Sequence, residues 1–190
     1  MAALCGALGA ALASIVASLT YKSGAPGADA LEKLGMDAQT LKDELLAAVD
    51  SDAAAFDAVL SAQRQPRDSD EQRKARDTAV QGALRHATET PLAVLQGASR
   101  VALLAQEAAT LGIAASLSDA GVAALCAEAA AEGAYYNVLI NLAEIHKAPG
   151  PGDADFAKRT RAAAEDALRK AQGVVSSTRR DVRARLENPA

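Results

Sequence analysis

The chain has 190 residues, of which half are hydrophobic but only 3% are aromatic, and alanine is the most frequent residue. This length suits one domain with its own core, and we expect a single domain over 1–190. Because the apolar mass is spread over small side chains, the composition favours closely packed helices. There are 20 basic and 24 acidic residues, a formal charge of −4, and no basic stripe is interleaved with aromatics. The sequence therefore argues against nucleic acid as a partner.

The first predicted helix is the uncharged stretch from Ala2 to Thr20. It is long enough to span a bilayer, so a membrane helix or a signal peptide is one interpretation. No basic residue precedes it, and its alanines, glycines and serines insert less favourably than Leu, Ile or Phe. Gly6, Ala10 and Ser14 recur at four-residue spacing, which lets another backbone approach closely. We therefore predict a helix buried on all sides of a soluble bundle, with no membrane partner.

Breaker residues divide the rest of the chain into further helices. We predict them at about 37–62, 71–88, 118–147 and 153–186. Pro91 marks either a kink, in which case the second of these continues to about 110, or a new start. No stretch alternates with the period of a strand. The predicted fold is all-α, a helical bundle of about five to seven helices with a buried Ala/Gly-rich N-terminal helix.

The helix at 41–60 carries the most informative residue, Asp52. At 100° per residue, Asp52 falls inside one apolar stripe about 100° wide. The stripe consists of Leu41, Leu45, Val49, Phe56, Val59 and Leu60. A carboxylate that faces the core is costly unless it is hydrogen-bonded, and such an environment suits general acid and base work. Asp52 is therefore the catalytic candidate, and the alternative is a structural carboxylate that bonds a neighbouring helix end.

Asn137 and Asn141 lie four residues apart and so share one helix face. That face adjoins an apolar stripe formed by Ala134, Val138, Leu142 and Ile145. Paired amides beside an apolar surface can recognise a flat heterocycle, since each amide both donates and accepts hydrogen bonds. The alternative role for the pair is hydrogen bonding between helices inside the bundle.

Four further residues are candidates for substrate binding. The run 116–119 (SLSD) is predicted to cap the helix that ends near Lys147, and Ser118 and Asp119 are assigned to this N-cap. A helix N-terminus also binds anions or polarised atoms. Arg64 and Arg67 flank Pro66 in a predicted loop and could meet an anionic substrate tail. A solvated loop is the usual explanation of arginines in such a position.

The sequence indicates no metal site. Cys5 and Cys126 belong to no CxxC motif or Cys/His cluster, and we expect small buried thiols in a reducing compartment. His86 and His146 share no metal-ligand spacing. P-loop, GxSxG, dinucleotide-binding and metalloprotease motifs are also absent from the sequence.

Several ordered segments of the sequence are similar to one known family. They are 2–11 (AALCGALGAA), 19–21 (LTY), 49–56 (VDSDAAAF), 66–67 (PR), Pro91, 118–119 (SD) and 133–141 (GAYYNVLIN). On these segments the chain resembles the cyclodeaminase domain of formimidoyltransferase-cyclodeaminase. It equally resembles the small bacterial cyclodeaminases and methenyltetrahydrofolate cyclohydrolases. The resemblance runs through most of the chain.

The resemblance implies a cytoplasmic, all-helical homodimer that binds a reduced folate, with or without a polyglutamate tail, as its substrate. No tightly bound cofactor is implied. The family converts 5-formimidoyltetrahydrofolate to 5,10-methenyltetrahydrofolate and ammonia, and its cyclohydrolase members hydrolyse the methenyl form to the 10-formyl form. By position, Asp52 matches the aspartate assigned as catalytic. Asn137 and Asn141 would orient the pterin or the one-carbon bridge, with Arg64 or Arg67 near the glutamate tail.

The family's first helix follows a proline- and glycine-rich loop that ends in a serine, and this sequence starts at Met1 within the segment expected after that loop. If the start was assigned too late or the chain was shortened, the natural protein is expected to be a cyclodeaminase or a cyclohydrolase. If the protein has truly lost this loop, it is expected to be a non-catalytic, folate-binding helical module. The two enzymatic reactions use the same scaffold, so the residues do not separate them.

Overall fold

The computed structural model describes residues 1–188 and consists of long helices. The helices are α1 (Ala2–Lys22), α2 (Ala28–Gln63), α3 (Asp70–Leu111), α4 (Leu117–Lys147) and α5 (Asp153–Glu187), with a 3-10 turn at Ala114–Ser116. No strand occurs between residues 1 and 188. The prediction of an all-α bundle is confirmed.

Helix α1 packs against α2, α3 and α4 through its smallest residues. A Cβ at Gly9 would lie 2.8 Å from Val101 Cγ1 of α3 and 2.9 Å from the backbone oxygen of Ala123 in α4. Both distances are shorter than a normal Cβ contact, so this crossing requires glycine. Ala2 of α1 lies against Gly133 of α4. The two contacts show that α1 and α4 run antiparallel.

One face of α1 is not covered, so the prediction that this helix is buried on all sides is wrong. The exposed side chains are Leu4, Leu8, Ile15 and Leu19. Helices α2, α3 and α4 cover the opposite face of α1. This covered face includes Gly6, Ala10 and Ser14. By length and composition Ala2–Lys22 could cross a membrane, and half of its most apolar window is buried inside the bundle.

Helix α2 begins at Ala28, well before the predicted start near Asp37. Gly27 has a φ of 96°, a left-handed conformation that glycine adopts readily, and the helix follows at once. Leu31 and Leu34 are buried in these early turns. Their packing, rather than local cap chemistry, explains why the helix starts so early.

Helix α3 runs unbroken through Pro91. Its start is fixed by a capping box, in which the Gln72 amide donates to Ser69 Oγ at 3.2 Å and the Ser69 amide donates to Gln72 Oε1 at 3.2 Å. Pro91 has no N–H, so the carbonyl of Ala87, four residues earlier, has no donor within the helix. Of the two predicted alternatives, a single long element is correct and a new start at Pro91 is wrong.

Helix α4 begins at Leu117, and its N-cap is Ser116. The N-cap therefore lies within the predicted capping run 116–119. The assignment of Ser118 and Asp119 to the cap is wrong, because both lie inside the first helical turn. A 3-10 turn leads directly into α4, and Ser116 Oγ donates back to the carbonyl of Ile113 at 3.1 Å. This turn moves the helix start towards the N-terminus.

One buried ion pair ties the start of α5 to α3. Asp153, only 2% exposed, accepts hydrogen bonds from Arg85 Nε at 2.6 Å and from the Gly150 amide at 2.7 Å. Arg85 also donates to the carbonyl of Pro151 at 2.7 Å and lies over the Phe156 ring, 5.8 Å from its centroid. These contacts close the loop between α4 and α5.

Alanine dominates the core. Of the 40 buried apolar side chains in the described residues, 25 are alanines. Such small side chains allow neighbouring helix axes to approach closely. The composition therefore predicted the kind of packing as well as the fold class.

Candidate active site

One cleft lies between the second half of α2, the side of α3 and the second half of α4, with a volume of about 570 Å³. Its lining consists of Asp52, Ala53, Ala55, Phe56, Val59, Leu60 and Gln63 from α2, Leu84 and Ala87 from α3, and Asn137, Ile140, Asn141 and Glu144 from α4. Three predicted site residues, Asp52, Asn137 and Asn141, therefore meet in one place.

A narrow recess of about 40 Å³ shares Asp52 and Asn137 with the cleft. Its remaining walls are Met1, Ala2, Ala3, Ala48, Val49, Pro91, Val94 and Ala134. A water molecule needs roughly 10–15 Å³ of such space. The recess can therefore hold a small molecule such as water or ammonia next to the Asp52 carboxylate.

Asp52 lies on the predicted stripe, but the stripe does not face a packed core at that level. Seven residues separate it from both Leu45 and Val59, so its side chain points within about 20° of each of theirs. Leu45 and Val59 are buried, whereas Asp52 and Phe56 are exposed. The prediction that Asp52 faces the core is therefore wrong. Helical periodicity correctly identified the side of α2 that faces the other helices. At Asp52 this side borders the cleft instead of packed atoms.

Asn137 and Asn141 share a face as predicted, but their surroundings differ. Asn137 is exposed, whereas Asn141 is half-buried. Asn141 Nδ2 donates to the carbonyl of Ala87 at 2.6 Å. This is the carbonyl that Pro91 leaves without a helical donor, so the bond joins α4 to α3. Asn141 thus makes the interhelical bond considered as its alternative role, and it also lines the cleft.

The other four predicted binding residues do not line this cleft. Ser118 lies 19 residues before Asn137 on α4, which corresponds to roughly 28 Å along the helix axis. Asp119 is its neighbour. Arg64 and Arg67 are exposed beyond the end of α2, past Gln63. Within one chain, the structure does not bring these four residues to Asp52.

The family model described as formiminotransferase-cyclodeaminase matches residues 1–166. The chain belongs to this family. The resemblance found in the sequence is thereby confirmed, and the matched range includes all three residues that meet in the cleft.

Two relatives of the chain differ in how much of their own length it matches. The formimidoyltransferase-cyclodeaminase of Sus scrofa is 39% identical over 152 residues, which cover 76% of this chain and 27% of the relative. The methenyltetrahydrofolate cyclohydrolase of Methylorubrum extorquens is 36% identical over 178 residues, which cover 92% of this chain and 79% of the relative. The chain thus spans about a quarter of the animal protein but most of the bacterial one.

A solved structure shows the same family fold. The formiminotetrahydrofolate cyclodeaminase of Thermotoga maritima matches with a TM-score of 0.82, covering 97% of this chain and 86% of that chain. The two sequences are 24% identical. The likeness establishes the arrangement of helices along nearly the whole of this chain.

Sequence reasoning missed part of the cleft of this family member. Ile140 and Glu144 lie three and seven positions after Asn137, on the same helix face, so extending that face would have found them. Gln63 carried no comparable signal, because it lies at the end of α2 among polar residues. Phe56 and Ile140 are 62% and 59% exposed, and they place apolar surface at the cleft.

The cleft carries acidic side chains and no basic ones. Asp52 and Glu144 are the ionisable residues of its lining, from opposite walls on α2 and α4. In the described part of the chain, no group of three or more His, Cys, Asp or Glu residues is placed to hold a metal ion. The lining offers carboxylate proton transfer and amide hydrogen bonding, in surroundings whose charge favours a cation.

Proposed function

We propose that the chain is a formimidoyltetrahydrofolate cyclodeaminase, which forms 5,10-methenyltetrahydrofolate and ammonia from 5-formimidoyltetrahydrofolate. The proposal rests on the convergence of Asp52, Asn137 and Asn141 on one cleft of about 570 Å³ in a chain of this family. Small-molecule sites have volumes of roughly 300–1,000 Å³. The cleft therefore has the size and the groups that this reaction needs.

Asp52 carries the proton in the proposed reaction. N10 of the folate attacks the carbon of the protonated formimidoyl group and forms a new N–C bond, and Asp52 accepts the proton that N10 then loses. Asp52 returns this proton to the former imino nitrogen, whose bond to carbon breaks as ammonia leaves. The lone pair of a ring nitrogen closes the methenyl C=N bond. A positioned general acid and base of this kind contributes about 10²–10⁴-fold to the rate.

The acidic lining supports a cationic one-carbon group as the reacting centre. A formimidoyl group is an amidine, which is protonated at neutral pH, and the methenyl product is itself a cation. Asp52 and Glu144 face the cleft from opposite walls. Two carboxylates and no basic side chain in the lining make the cleft favourable for positive charge.

Binding of the pterin is assigned to the polar and apolar parts of the same cleft. Asn137 and Asn141 supply hydrogen-bonding groups, and Phe56 and Ile140 supply exposed apolar surface on the two walls. A flat heterocycle needs both, because its faces are apolar and its edges polar.

Methenyltetrahydrofolate cyclohydrolase is the second candidate function. It is favoured because the relative of that name matches over most of both chains. In this reaction water adds to the methenyl carbon and Asp52 accepts one of its protons. The N5–C bond then breaks, N5 takes a proton, the formyl C=O forms on N10 and the hydroxyl proton is released. The recess of about 40 Å³ beside Asp52 is the position we assign to the water.

We propose that the chain acts as a cytoplasmic homodimer. Its exposed apolar surface combines one face of α1 with the adjacent face of α4, namely Leu4, Leu8, Ile15, Leu19, Val122 and Leu125. This set is called the α1/α4 face below. Contiguous apolar surface of this kind marks protein interfaces.

The proposed function is tested by adding 5-formimidoyltetrahydrofolate to the full chain and following ammonia release together with methenyltetrahydrofolate absorbance. Asp52→Asn removes the proton acceptor at constant size, so turnover should fall by about 100-fold or more. Asp57→Asn is the matched control, since Asp57 is exposed on the same helix but does not line the cleft.

Three outcomes separate the alternatives. Unchanged turnover in Asp52→Asn would overturn the assigned role of this residue. Hydrolysis of methenyltetrahydrofolate without deamination of the formimidoyl substrate would select the cyclohydrolase. Folate binding with neither reaction would leave a non-catalytic binding module.

A further inference from the structure

A proline in one helix fixes the side chain of an asparagine in the next. Pro91 has no amide hydrogen, so the Ala87 carbonyl of α3 has no helical donor. Ala87 is 9% exposed, and a buried carbonyl without a partner is destabilising. Asn141 of α4 supplies the missing hydrogen through Nδ2, at 2.6 Å.

This bond determines which end of the Asn141 amide is left for a ligand. An amide has one donating end and one accepting end, and only the donating end can bond a carbonyl oxygen. A reversed amide would place two oxygens against each other and leave Ala87 unpaired. Asn141 also lines the cleft, and no buried side-chain polar atom in the described part of the chain lacks a partner. Oδ1 accepts no hydrogen bond from residues 1–188, so it is not among the buried atoms and remains accessible. It is therefore the end available to a molecule in the cleft.

We propose that Asn141 is a specificity residue that presents its acceptor oxygen Oδ1 to the cleft in a fixed orientation, and that Pro91 sets this orientation. The inference rests on the proposed function, and it identifies the matching group as a ring N–H or amino donor of the pterin. Asn137 is exposed and can turn either end towards a ligand. The two amides of the cleft thus have different roles, one fixed and one adaptable.

A fixed hydrogen-bond acceptor improves the recognition of a ligand in the cleft in two ways. Its orientation is set before the ligand arrives, so binding does not have to order it. A ligand that offers an acceptor at the same point leaves two oxygens opposed, and sites built for one hydrogen-bond pattern discriminate strongly against the wrong one. Restoring a hydrogen at position 91 would satisfy the Ala87 carbonyl within α3, which weakens the constraint and leaves Asn141 in place.

The test combines Pro91→Ala, Asn141→Ala and the double substitution in the full chain. Pro66→Ala is the control, since Pro66 lies in the exposed loop after α2 and does not line the cleft. Thermal unfolding is measured first, without folate. Asn141→Ala should lower the melting temperature when Pro91 is present and have little effect in Pro91→Ala, where the helix itself satisfies Ala87.

Binding of 5-formyltetrahydrofolate, a stable reduced folate, is then measured by calorimetry, with KM and kcat for turnover. Pro91→Ala should weaken binding several-fold although both polar ends of Asn141 are retained. Asn141→Ala should weaken it about tenfold, and the double substitution no further. KM should rise in parallel with the loss of binding, and the coupling between the two substitutions distinguishes this effect from a general loss of structure. If Asn141→Ala alone does not fold, the double substitution provides the comparison.

The inference is overturned if Pro91→Ala binds the folate as the unsubstituted chain does, or if the two substitutions weaken binding additively. It is also overturned if the melting temperatures show no coupling between positions 91 and 141. Binding that responds as expected, in a chain that turns over neither substrate, would refute the proposed reaction and support this inference. A chain that binds no reduced folate would refute both.

Discussion

Asp153 is the most deeply buried charged residue in the described chain, and Arg85 compensates its charge. Removing one partner of a buried ion pair leaves the other uncompensated, which costs about 3 kcal/mol. We expect Arg85→Ala to lower the free energy of unfolding by about this amount, measured by urea denaturation. The control is Arg100→Ala, whose partner Glu44 lies 2.8 Å away at the surface, and little change is expected there. Equal effects of the two substitutions would contradict the assignment.

The Cys126 thiol is a second residue whose behaviour follows from its surroundings. Burial raises the pKa of Cys126, and the nearby Cys5 thiol raises it further. The thiolate is the reactive species, so a raised pKa leaves less of it at a given pH. We expect iodoacetamide to modify Cys126 at pH 8 more slowly in the folded chain than in urea, as followed by peptide mass spectrometry. Equal rates in both states would show that the fold does not protect this thiol.

For single residues, the sequence predicted the side of the helix on which a residue lies better than it predicted what surrounds the residue. Asp52 was found because helical periodicity gives the side of a helix on which a residue lies, and the Asn137 and Asn141 pair was found in the same way. Whether that side meets packed atoms or open space depends on other helices, so the exposure of Asp52 was not predictable. Ser118 was a binding candidate because a helix N-terminus can bind anions, but helix rise separates it from Asn137 by roughly 28 Å.

Among the helices, α1 shows how one position controls an element. A Cβ at Gly9 would lie 2.8 Å from Val101 Cγ1 and 2.9 Å from a backbone oxygen of α4. We expect Gly9→Ala to destabilise the chain by about 1–3 kcal/mol, because the crossing must widen. Gly173→Ala is the matched control in α5, where nothing lies within 4 Å of the added Cβ. There the change should stabilise by about 0.5–1 kcal/mol.

Both glycine variants are compared by thermal unfolding at one pH. A stabilised Gly9→Ala would mean that α1 can move away from α4 without loss. The outcome also bears on the recess, since the first residues of α1 form part of its wall.

Element boundaries were predictable where local chemistry decides them. The end of α3 at Leu111 and the limits of α5 follow the glycine and proline signals in the sequence. The start of α2 was missed because Leu31 and Leu34 are held by tertiary packing. The start of α4 falls within the predicted capping run 116–119, after a 3-10 turn. Packing between helices overrides cap signals at the start of α2.

For the whole molecule, the α1/α4 face predicts how two chains associate. Leu8 is 53% exposed within this face, and a charge there would be buried in the proposed dimer. We expect Leu8→Glu to be monomeric by light scattering under conditions in which the unsubstituted chain is dimeric. Leu103→Glu is the control, because Leu103 is 54% exposed on α3, outside this face. Dissociation by both variants, or by neither, would argue against the assigned interface.

The abundance of alanine in the core reverses the usual direction of mutational risk. In most cores the damaging change is truncation, since removing methylene groups leaves a void. An alanine side chain has almost nothing to remove, and its Cβ already touches a neighbouring helix. Harmful variation at the buried positions of this chain should therefore come from enlargement, even by a single methyl group. Natural variants at these positions should be confined to glycine, alanine and serine, while the few buried leucines and valines tolerate exchange among larger residues.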